Sequence, residues 1–511
     1  MLFNSYPFLF VFLPLALGGF WLLGRWHRTL AISGLFFASL LFYGVWNPRD
    51  VPLLLGSIGF NFWIGQRLQA ATGRGEKKRA LIWLRLGLLG DLGLLGYFKY
   101  AGFLTENLTP FFESPLQLDP IVLPLGISFF TFTQIAFLVD CYRGEVREGR
   151  FLDYGLFVTY FPHLIAGPVL HHKEMMPQFR GNRSSRFSFE DFSIGATLFA
   201  LGLFKKVVLA DGVAPFARAL FDQPPEAPGL FEAWGGTLAY TFQLYFDFSG
   251  YSDMAIGLSR LFGVRLPVNF DSPYKATSII DFWRRWHMTL SRFLRDYLYF
   301  SLGGNRKGPV RRHLNLFLTM LLGGLWHGAG WTYVAWGALH GLYLILNHVI
   351  RHLMGPRTLG RGLGQTLTFI AVVIGWVVFR APDLEGAGRV LSGMLGLNGA
   401  PVPSSMLWPA ARNVLEGLGV SVIEPTIFQH LDAGHSLTLL GWLMGLGAIA
   451  FLSPNSQEIL GRYRPTLEPT RPLSGRWVFE PRPLTLALTL VVFFFGLSSI
   501  GKVSEFLYFQ F

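Results

Sequence analysis

Apolar runs separated by short polar loops recur from one end of the 511-residue chain to the other. A helix needs about 20 residues to cross the hydrocarbon core of a bilayer, because each residue advances it by about 1.5 Å. Runs that approach or exceed this length lie near residues 3–24, 29–46, 51–66, 80–104, 120–140, 190–212, 313–350, 366–381, 438–453 and 484–500. We therefore predict an all-α polytopic membrane protein with re-entrant segments and roughly 11 to 14 membrane helices.

The composition agrees with this prediction, since hydrophobic residues make up 51% of the chain and charged residues only 14%. An ordinary soluble domain contains about 25% charged residues. The first apolar run has no basic region before it and no small-residue cleavage site after it, so we expect a retained helix rather than a signal peptide. With no soluble domain or repeat in view, we predict a single membrane domain over residues 1–511. We expect a longer external loop near 381–436 and a longer cytoplasmic loop near 453–483.

The net charge of +12 comes mainly from basic residues in the loops between apolar runs. The positive-inside rule explains this distribution better than nucleic-acid binding does. Basic loops follow the first and third runs, whereas the loop 105–119 contains acidic residues and no Lys or Arg. We therefore predict that the N-terminus and the C-terminus are both extracytoplasmic. The apolar stretch 152–170 breaks the alternation, and a re-entrant bend at Pro162 and Gly167-Pro168 would return the basic residues that follow it to the cytoplasm.

Residues 281–299 form a second kind of pattern, in which arginines alternate with aromatic side chains. On a helix with about 100° per residue, Arg284, His287, Ser291 and Arg295 share one face, and Arg285 lies beside it. One interpretation is an interfacial anchor whose arginines meet the phosphates of membrane lipid. The other is a cationic site for a phosphorylated donor such as coenzyme A, and the imidazole among the arginines favours it.

Another histidine, His327, stands in the glycine-rich sequence Leu321-Leu-Gly-Gly-Leu-Trp-His-Gly-Ala-Gly330, inside an apolar run. An ionisable residue at membrane depth is a candidate functional residue, and histidine can accept and return a proton near neutral pH. The alternative is a structural histidine bonded to a neighbouring carbonyl. His340 would lie about 140° from His327 on one continuous helix, so we expect the two rings in different places. The single cysteine, Cys141, excludes an intrachain disulfide and a multi-cysteine metal site, and we predict no metal.

A further polar concentration interrupts the apolar sequence at residues 243–257. It contains Tyr245, Asp247, Ser249 and Asp253. These side chains could be proton-linked transport groups, could position a substrate, or could cap the ends of a broken helix.

Several of these motifs together resemble the membrane-bound O-acyltransferase (MBOAT) family, and within it the membrane subunit of alginate O-acetylation. The motifs are Gly96-Tyr-Phe-Lys-Tyr100, Phe161-Pro-His-Leu-Ile-Ala-Gly-Pro168, Tyr245-Phe-Asp-Phe-Ser-Gly-Tyr-Ser-Asp-Met-Ala-Ile-Gly257, Phe282-Trp-Arg-Arg-Trp-His287, Leu302-Gly-Gly-Asn-Arg306 and Leu322-Gly-Gly-Leu-Trp-His-Gly328. The likeness covers nearly the whole chain.

The resemblance implies a helical bundle of the MBOAT type, with a cytoplasmic and an external funnel that meet at a catalytic histidine. His327 matches that histidine, and His287 matches a second position that binds or orients the acyl group. The catalytic core would span about 120–350. The protein would be a multi-pass protein of the bacterial inner membrane. The same likeness implies the O-acetylation of an exported polysaccharide, most closely alginate.

The resemblance also implies acetyl-CoA as the cytoplasmic donor substrate. We expect Arg284, Arg285 and Arg295 to steer its phosphates and Trp326 to lie beside its thioester. Tyr245, Asp247, Ser249 and Asp253 would position substrate. The implied partners are an extracytoplasmic SGNH-type acetyltransferase and an exopolysaccharide synthesis and export complex.

Three alternatives stay open at this point. The same fold could act on another glycan, such as cellulose or peptidoglycan. The chain could instead be a transporter in which Asp247, Asp253 and the histidines form a proton relay, although no inverted repeat is visible. It could also be a scaffold for polysaccharide synthesis, in which case histidine substitutions would be silent.

Overall fold

The computed structural model describes residues 1–112, 118–146, 149–181, 187–222, 225–355, 359–403, 409–417, 422–423, 434–468, 479–480, 482–501 and 507. The α-helices within these ranges are α1 Leu13–Trp26, α2 Arg28–Gly44, α3 Val51–Gly73, α4 Lys77–Leu95, α5 Ala101–Leu108, α6 Ile127–Arg143, α7 Phe151–Thr159, α8 Phe161–Leu164, α9 His172–Arg180, α10 Phe189–Phe204, α11 Asp211–Phe221, α12 Leu230–Leu261, α13 Ile279–Trp283, α14 Met288–Phe293, α15 Gly308–His327, α16 Trp331–Met354, α17 Arg361–Arg380, α18 Leu384–Met394, α19 Pro409–Gly417, α20 Gly434–Leu452, α21 Ser456–Ile459 and α22 Pro483–Ser499.

Shorter helical turns and one minimal sheet complete the secondary structure of the described residues. The π-helical segments are Phe8–Phe12, Gly96–Tyr100, Lys205–Ala210 and Leu294–Tyr299, and the 3-10 turns are Pro48–Asp50, Thr109–Phe111, Pro273–Lys275 and Gly461–Tyr463. The strands β1 Val402–Pro403 and β2 Val422–Ile423 pair in parallel. The helical class predicted from the apolar runs is therefore confirmed.

Within the described ranges, five continuous helical stretches are long and apolar enough to cross a membrane. They are Phe8–Trp26, Lys77–Phe111, Phe189–Phe221, Trp331–Met354 and Arg361–Arg380. Four shorter apolar helices accompany them, at Arg28–Gly44, Ile127–Tyr142, Leu437–Leu452 and Pro483–Ser499. Parts of both predicted long loops and most of the C-terminal tail lie outside the described residues, as do Arg183 and Arg186.

The central element is α12, a helix of 32 residues that packs against α10, α11, α17, α18 and α20. Two of its acidic side chains, Asp247 and Asp253, are buried and paired. Asp247 lies 2.6 Å from Lys206 Nζ, and Asp253 lies 2.6 Å from Lys205 Nζ. Removing a charge from water is costly unless an opposite charge accompanies it, so these pairs make the burial of both carboxylates possible. α12 is unbroken across both positions. The interpretation of these residues as caps of a broken helix is therefore wrong.

The segment predicted as one amphipathic helix is divided in two. α13 ends at Trp283 and α14 begins at Met288. Between them His287 adopts a left-handed conformation, with φ 42°. His287 is fully buried, and so are its aromatic neighbours Phe282 and Trp286. The segment is thus part of the protein core, and the alternative of a simple interfacial anchor is not supported.

The predicted re-entrant segment is bent and buried. α7 has nine residues and is followed by the four-residue α8, whereas a membrane span needs about 20. Across the bend, His163 Nε2 lies 2.8 Å from the carbonyl oxygen of Phe157. Arg180 Nε, beyond the bend, lies 2.9 Å from Asp153 Oδ2. The start of the segment and the helix that follows it therefore meet, and the re-entrant path stays a prediction.

Candidate active site

His327 is the last residue of α15, where the chain turns sharply into α16. The next residue must be glycine, since a Cβ on Gly328 would lie 2.1 Å from the ring of Tyr333. The imidazole is 7% exposed and packs among aromatic rings, with centroid distances of 5.2 Å to Trp336 and 5.4 Å to Phe379. The glycine-rich motif therefore places a histidine at a helix end inside the protein.

One side of His327 borders a small cavity of about 100 Å³, here named the histidine cavity. Its polar side chains come from three different elements, Lys99, Ser128 and His327. Trp326 also lines it, together with residues 123–127, Phe129 and Ile165. A hydroxyl group entering this cavity would therefore meet a histidine and a lysine.

His287 is held by a polar network that includes Asn269. The Nδ1 atom of His287 lies 3.0 Å from Asn269 Oδ1, which also accepts a hydrogen bond from Thr289 Oγ1 at 2.9 Å. The amide nitrogen of Asn269 donates to Ser252 Oγ at 3.2 Å. Because the carbonyl oxygen can only accept, the proton of a neutral His287 resides on Nδ1. Neutral His287 therefore presents Nε2 as an acceptor.

The titratable side chains close enough to interact electrostatically with His327 are His287, Lys99 and His340. His327 and His340 both pack against Trp336, whose ring centroid lies 5.2 Å from that of His327 and 4.8 Å from that of His340. The prediction that these histidines occupy different places assumed one continuous helix. That assumption is wrong, because the chain leaves helical geometry between His327 and Trp331.

A larger cavity of about 640 Å³, here named the arginine cavity, lies along the first part of α15. Its basic side chains are those of Arg284, Arg292, Arg295, Arg312 and His348. On α15 it reaches Met320, seven residues before His327. Seven helical residues span about 10 Å, so the two cavities lie close to opposite ends of one short stretch of helix.

Two residues predicted to bind the donor lie elsewhere. Arg285 is outside the arginine cavity, because its guanidinium pairs with Asp281 at 2.9 Å and with Asp271 at 3.7 Å. Trp326 borders the histidine cavity instead. Arg312 was missed by sequence reasoning, since it precedes His327 by four helical turns and only the tertiary fold places it opposite Arg284.

The four predicted substrate-positioning residues of α12 border neither cavity. Asp247 pairs with Lys206, and Asp253 pairs with Lys205 and accepts hydrogen bonds from Ser456 at 2.5 Å and Gln457 at 2.8 Å. Tyr245 and Ser249 are buried on the same helix. The structure thus gives the carboxylates a role in joining helices, and it does not bring them to His327.

A second polar cleft shares Arg292 and Asn305 with the arginine cavity. At its base the Tyr297 hydroxyl donates to Asp140 Oδ2 at 2.8 Å, and His172 Nδ1 lies 3.1 Å from the same oxygen. His171 Nδ1 lies 2.9 Å from the Tyr297 hydroxyl. His171 and His172 are both buried in this network. Among the described residues, no cluster of three His, Cys, Asp or Glu side chains has a geometry suited to a metal ion.

The fold and the site together define a class: a helical membrane protein in which a buried histidine separates an arginine-lined cavity from a smaller polar one. Comparison with known protein families agrees. The sequence model of the family described as "MBOAT, membrane-bound O-acyltransferase family" matches residues 120–384. The chain belongs to the membrane-bound O-acyltransferase family.

Individual relatives cover most of the chain. A peptidoglycan O-acetyltransferase of Helicobacter pylori is 44% identical over 428 residues, which are 78% of this chain and 80% of the relative. The probable alginate O-acetylase AlgI of Pseudomonas aeruginosa is 48% identical over 399 residues, which are 77% of this chain and 75% of the relative. A teichoic acid D-alanyltransferase of Streptococcus thermophilus is 30% identical over 235 residues, or 44% of this chain and 56% of the relative.

These findings confirm three predictions: the family, the assignment of an enzyme, and membrane O-acetyltransfer as the reaction. The protein is a multi-pass membrane protein, in agreement with its candidate spans. The assignment of an enzyme replaces the transporter and scaffold alternatives. The carboxylates that would serve a proton relay, Asp247 and Asp253, pair with Lys206 and Lys205 of a neighbouring helical segment.

Proposed function

We propose that this protein transfers acetyl groups from acetyl-CoA, bound in the arginine cavity, to an acceptor that reaches His327 through the histidine cavity. One observation carries the proposal: the two cavities lie near opposite ends of the same stretch of α15, about 10 Å apart along the helix. Four guanidinium groups line the larger cavity, of which those of Arg292 and Arg295 also pair with Glu174 and Asp296. Guanidinium groups suit phosphate recognition because they donate two parallel hydrogen bonds.

His327 acts as the general base in this mechanism. Its imidazole takes the proton of the acceptor hydroxyl while the oxygen attacks the thioester carbonyl. The tetrahedral intermediate then collapses, the carbon–sulfur bond breaks, and the coenzyme A thiolate receives the proton from His327. Donor and acceptor thus exchange an acetyl group and a proton with no net change in charge.

His287 acts near His327, from a fully buried position. Because Asn269 holds its Nδ1 proton, neutral His287 accepts a hydrogen bond at Nε2 and so orients an N–H or O–H group of the substrates. It can donate to the developing oxyanion only as an imidazolium. Neutral His287 is therefore a residue that orients an N–H or O–H group of the donor or the acceptor, and His327 is the base.

The acceptor that we favour is alginate, reached through an extracytoplasmic SGNH-type acetyltransferase and the export complex of the polysaccharide. The 48% identity to the Pseudomonas aeruginosa AlgI supports this choice. In this arrangement the arginine cavity opens to the cytoplasm, and both termini lie on the extracytoplasmic side of the membrane. The protein resides in the bacterial inner membrane and crosses it with roughly 11 to 14 helices, partial spans included.

Peptidoglycan is the second candidate acceptor, because the Helicobacter pylori relative is matched over 80% of its length at 44% identity. The two candidates are separated by supplying radiolabelled acetyl-CoA to inverted membrane vesicles that contain the protein. Label in alginate, in the presence of the partner, supports the first acceptor. Label in peptidoglycan alone would replace it with the second.

The donor and the catalytic histidine are tested by the release of free coenzyme A from acetyl-CoA by the purified protein in detergent, with and without the partner. We expect His327→Ala to lower the rate at least about 100-fold, because the general base is lost. Arg284→Ala should raise the KM for acetyl-CoA with a smaller effect on kcat, since it removes a binding contact. Arg389→Ala is the control, because Arg389 lies on α18 and pairs with Glu385. Release by His327→Ala at the wild-type rate would contradict the mechanism.

A further inference from the structure

Lys99 is the side chain of the histidine cavity that the reaction scheme leaves without a role. It lies within the candidate membrane span Lys77–Phe111. Lys205 and Lys206, in another candidate span, are neutralised by Asp253 and Asp247. For Lys99, by contrast, no carboxylate partner is found among the described residues. A cation at membrane depth is costly unless it is stabilised, and it marks a functional site.

The partners of Lys99 are the backbone carbonyl groups at the end of α15. Its Nζ atom donates to the carbonyl oxygen of Trp326 at 2.5 Å and to that of His327 at 3.1 Å. The next residue, Tyr100, donates its hydroxyl to the carbonyl oxygen of Leu325 at 2.8 Å. Two consecutive residues of another helix thus donate hydrogen bonds to three consecutive carbonyl groups of α15. The last of these carbonyl groups is that of His327.

These carbonyl groups need partners from outside α15. The last four carbonyl groups of a helix have no partner within it, and together they form the negative end of the helix dipole. Gly328 leaves the helix in an extended conformation, with φ −159° and ψ 152°. An ammonium group at this position satisfies the hydrogen bonds and also complements the dipole.

The local geometry of the neighbouring helix explains why both side chains reach the same place. Lys99 and Tyr100 belong to the π-helical segment Gly96–Tyr100, between α4 and α5. A π-helical turn carries one residue more than an α-helical turn, and such turns occur often at functional sites. Lys99 also donates to Ser128 Oγ at 3.2 Å, which connects the arrangement to α6.

We propose that Lys99, assisted by Tyr100, is the positioning residue that holds His327 at the wall of the histidine cavity. It acts through His327: by fixing the carbonyl groups of Trp326 and His327, it fixes the backbone that carries the imidazole. The proposal deepens the proposed function and rests on the assignment of His327 as the base. A displacement of about 1 Å at such a group can lower a rate about 100-fold.

The kinetic test compares Lys99→Met with Lys99→Arg in the coenzyme A release assay. We expect Lys99→Met to lower kcat by about 10- to 100-fold and to leave the KM for acetyl-CoA within about twofold, because Lys99 does not border the arginine cavity. Lys99→Arg retains the charge and donors, so it should recover most of the lost rate. Lys275→Met is the matched control, since Lys275 donates at 2.6 Å to the carbonyl oxygen of Ser453, just beyond the end of α20.

Two kinetic outcomes would overturn the proposal. The first is a wild-type kcat for Lys99→Met. The second is a further loss of rate when Lys99→Met is added to His327→Ala, because a residue that acts only through His327 has no effect once that side chain is gone. If His327→Ala itself is fully active, the proposed function fails, and the position of residue 327 must be measured directly.

That measurement uses His327→Cys and a small methanethiosulfonate reagent. The native Cys141 is buried, so it provides a slow internal reference. We expect Lys99→Met to increase the labelling rate of the new cysteine at least about threefold, because the end of α15 loses its bonds to the neighbouring helix. An unchanged labelling rate would overturn the positioning role, whether or not the protein is active.

Discussion

At the scale of the residue, the sequence identified the two histidines but not the groups that define their chemistry. His287 stands out because an imidazole is unexpected among arginines. Its bond to Asn269, 18 residues earlier, exists only in the folded protein. This bond decides which ring nitrogen of a neutral His287 carries the proton, and therefore whether the residue donates or accepts.

Replacing Asn269 should consequently lower the catalytic rate more than the stability of the fold. We expect Asn269→Leu to lower kcat by about 10- to 100-fold, the range seen when the group that orients a functional histidine is lost. Steady-state release of coenzyme A measures the effect. Asn398→Leu is the control, because the amide of Asn398 is also hydrogen-bonded, to the carbonyl oxygen of Pro228, but lies near α18. A kcat within twofold of the wild-type value would show that Asn269 does not orient His287.

The arginines show the same limit of sequence reasoning. A helical wheel placed Arg284 and Arg295 on one face, and both border the arginine cavity. The wheel also favoured Arg285, but nearby carboxylates hold that side chain away from the cavity. Periodicity gives the direction of a side chain along a regular helix, and it fails where α13 ends and a left-handed residue follows.

At the scale of the element, the site depends on the close approach of α15 and α16. A Cβ added to Gly324 would lie 2.3 Å from the carbonyl oxygen of Tyr333, and one added to Gly337 would lie 2.5 Å from that of Met320. The two glycines therefore let the backbones touch just before His327. Small residues serve this purpose in membrane helices, where packing rather than the hydrophobic effect holds helices together.

Adding one methyl group at this contact should separate the two helices. We expect Gly324→Ala to lower stability by about 1–3 kcal/mol, the usual range for an overpacked core. The midpoint of thermal unfolding in detergent is measured with a thiol-reactive dye, since the single cysteine, Cys141, is buried until the protein unfolds. Gly56→Ala in α3 is the control, because no atom lies within 4 Å of a Cβ there. Equal midpoints for the two variants would contradict the role of this contact.

At the scale of the whole molecule, the two cavities predict from which face of the membrane each substrate enters. The arginine cavity should open to the cytoplasm, where acetyl-CoA is made, and the histidine cavity to the other face. Leu123 borders the histidine cavity and Asn305 the arginine cavity, and both side chains are exposed.

Labelling in whole cells tests this orientation. A membrane-impermeant thiol reagent should modify Leu123→Cys in intact cells once the outer membrane has been made permeable. Asn305→Cys should react only after the inner membrane is opened as well, because polar reagents do not cross the hydrocarbon core. The buried Cys141 of the unsubstituted protein sets the background. The reverse pattern would show that the cavities face the opposite sides and that the donor enters elsewhere.

The sequence by itself predicted the class of fold and the family, and it singled out His327 as the candidate catalytic residue. Apolar length fixes which stretches can lie in a bilayer, because an unpaired backbone group is costly there. The motif around His327 is local and can be read directly. Only the tertiary structure decided where α15 ends, which arginines line the arginine cavity, and that Lys99 meets the last carbonyl groups of α15 from 227 residues away. Such contacts join distant parts of the chain, and their geometry follows from packing and charge pairing rather than from any local pattern.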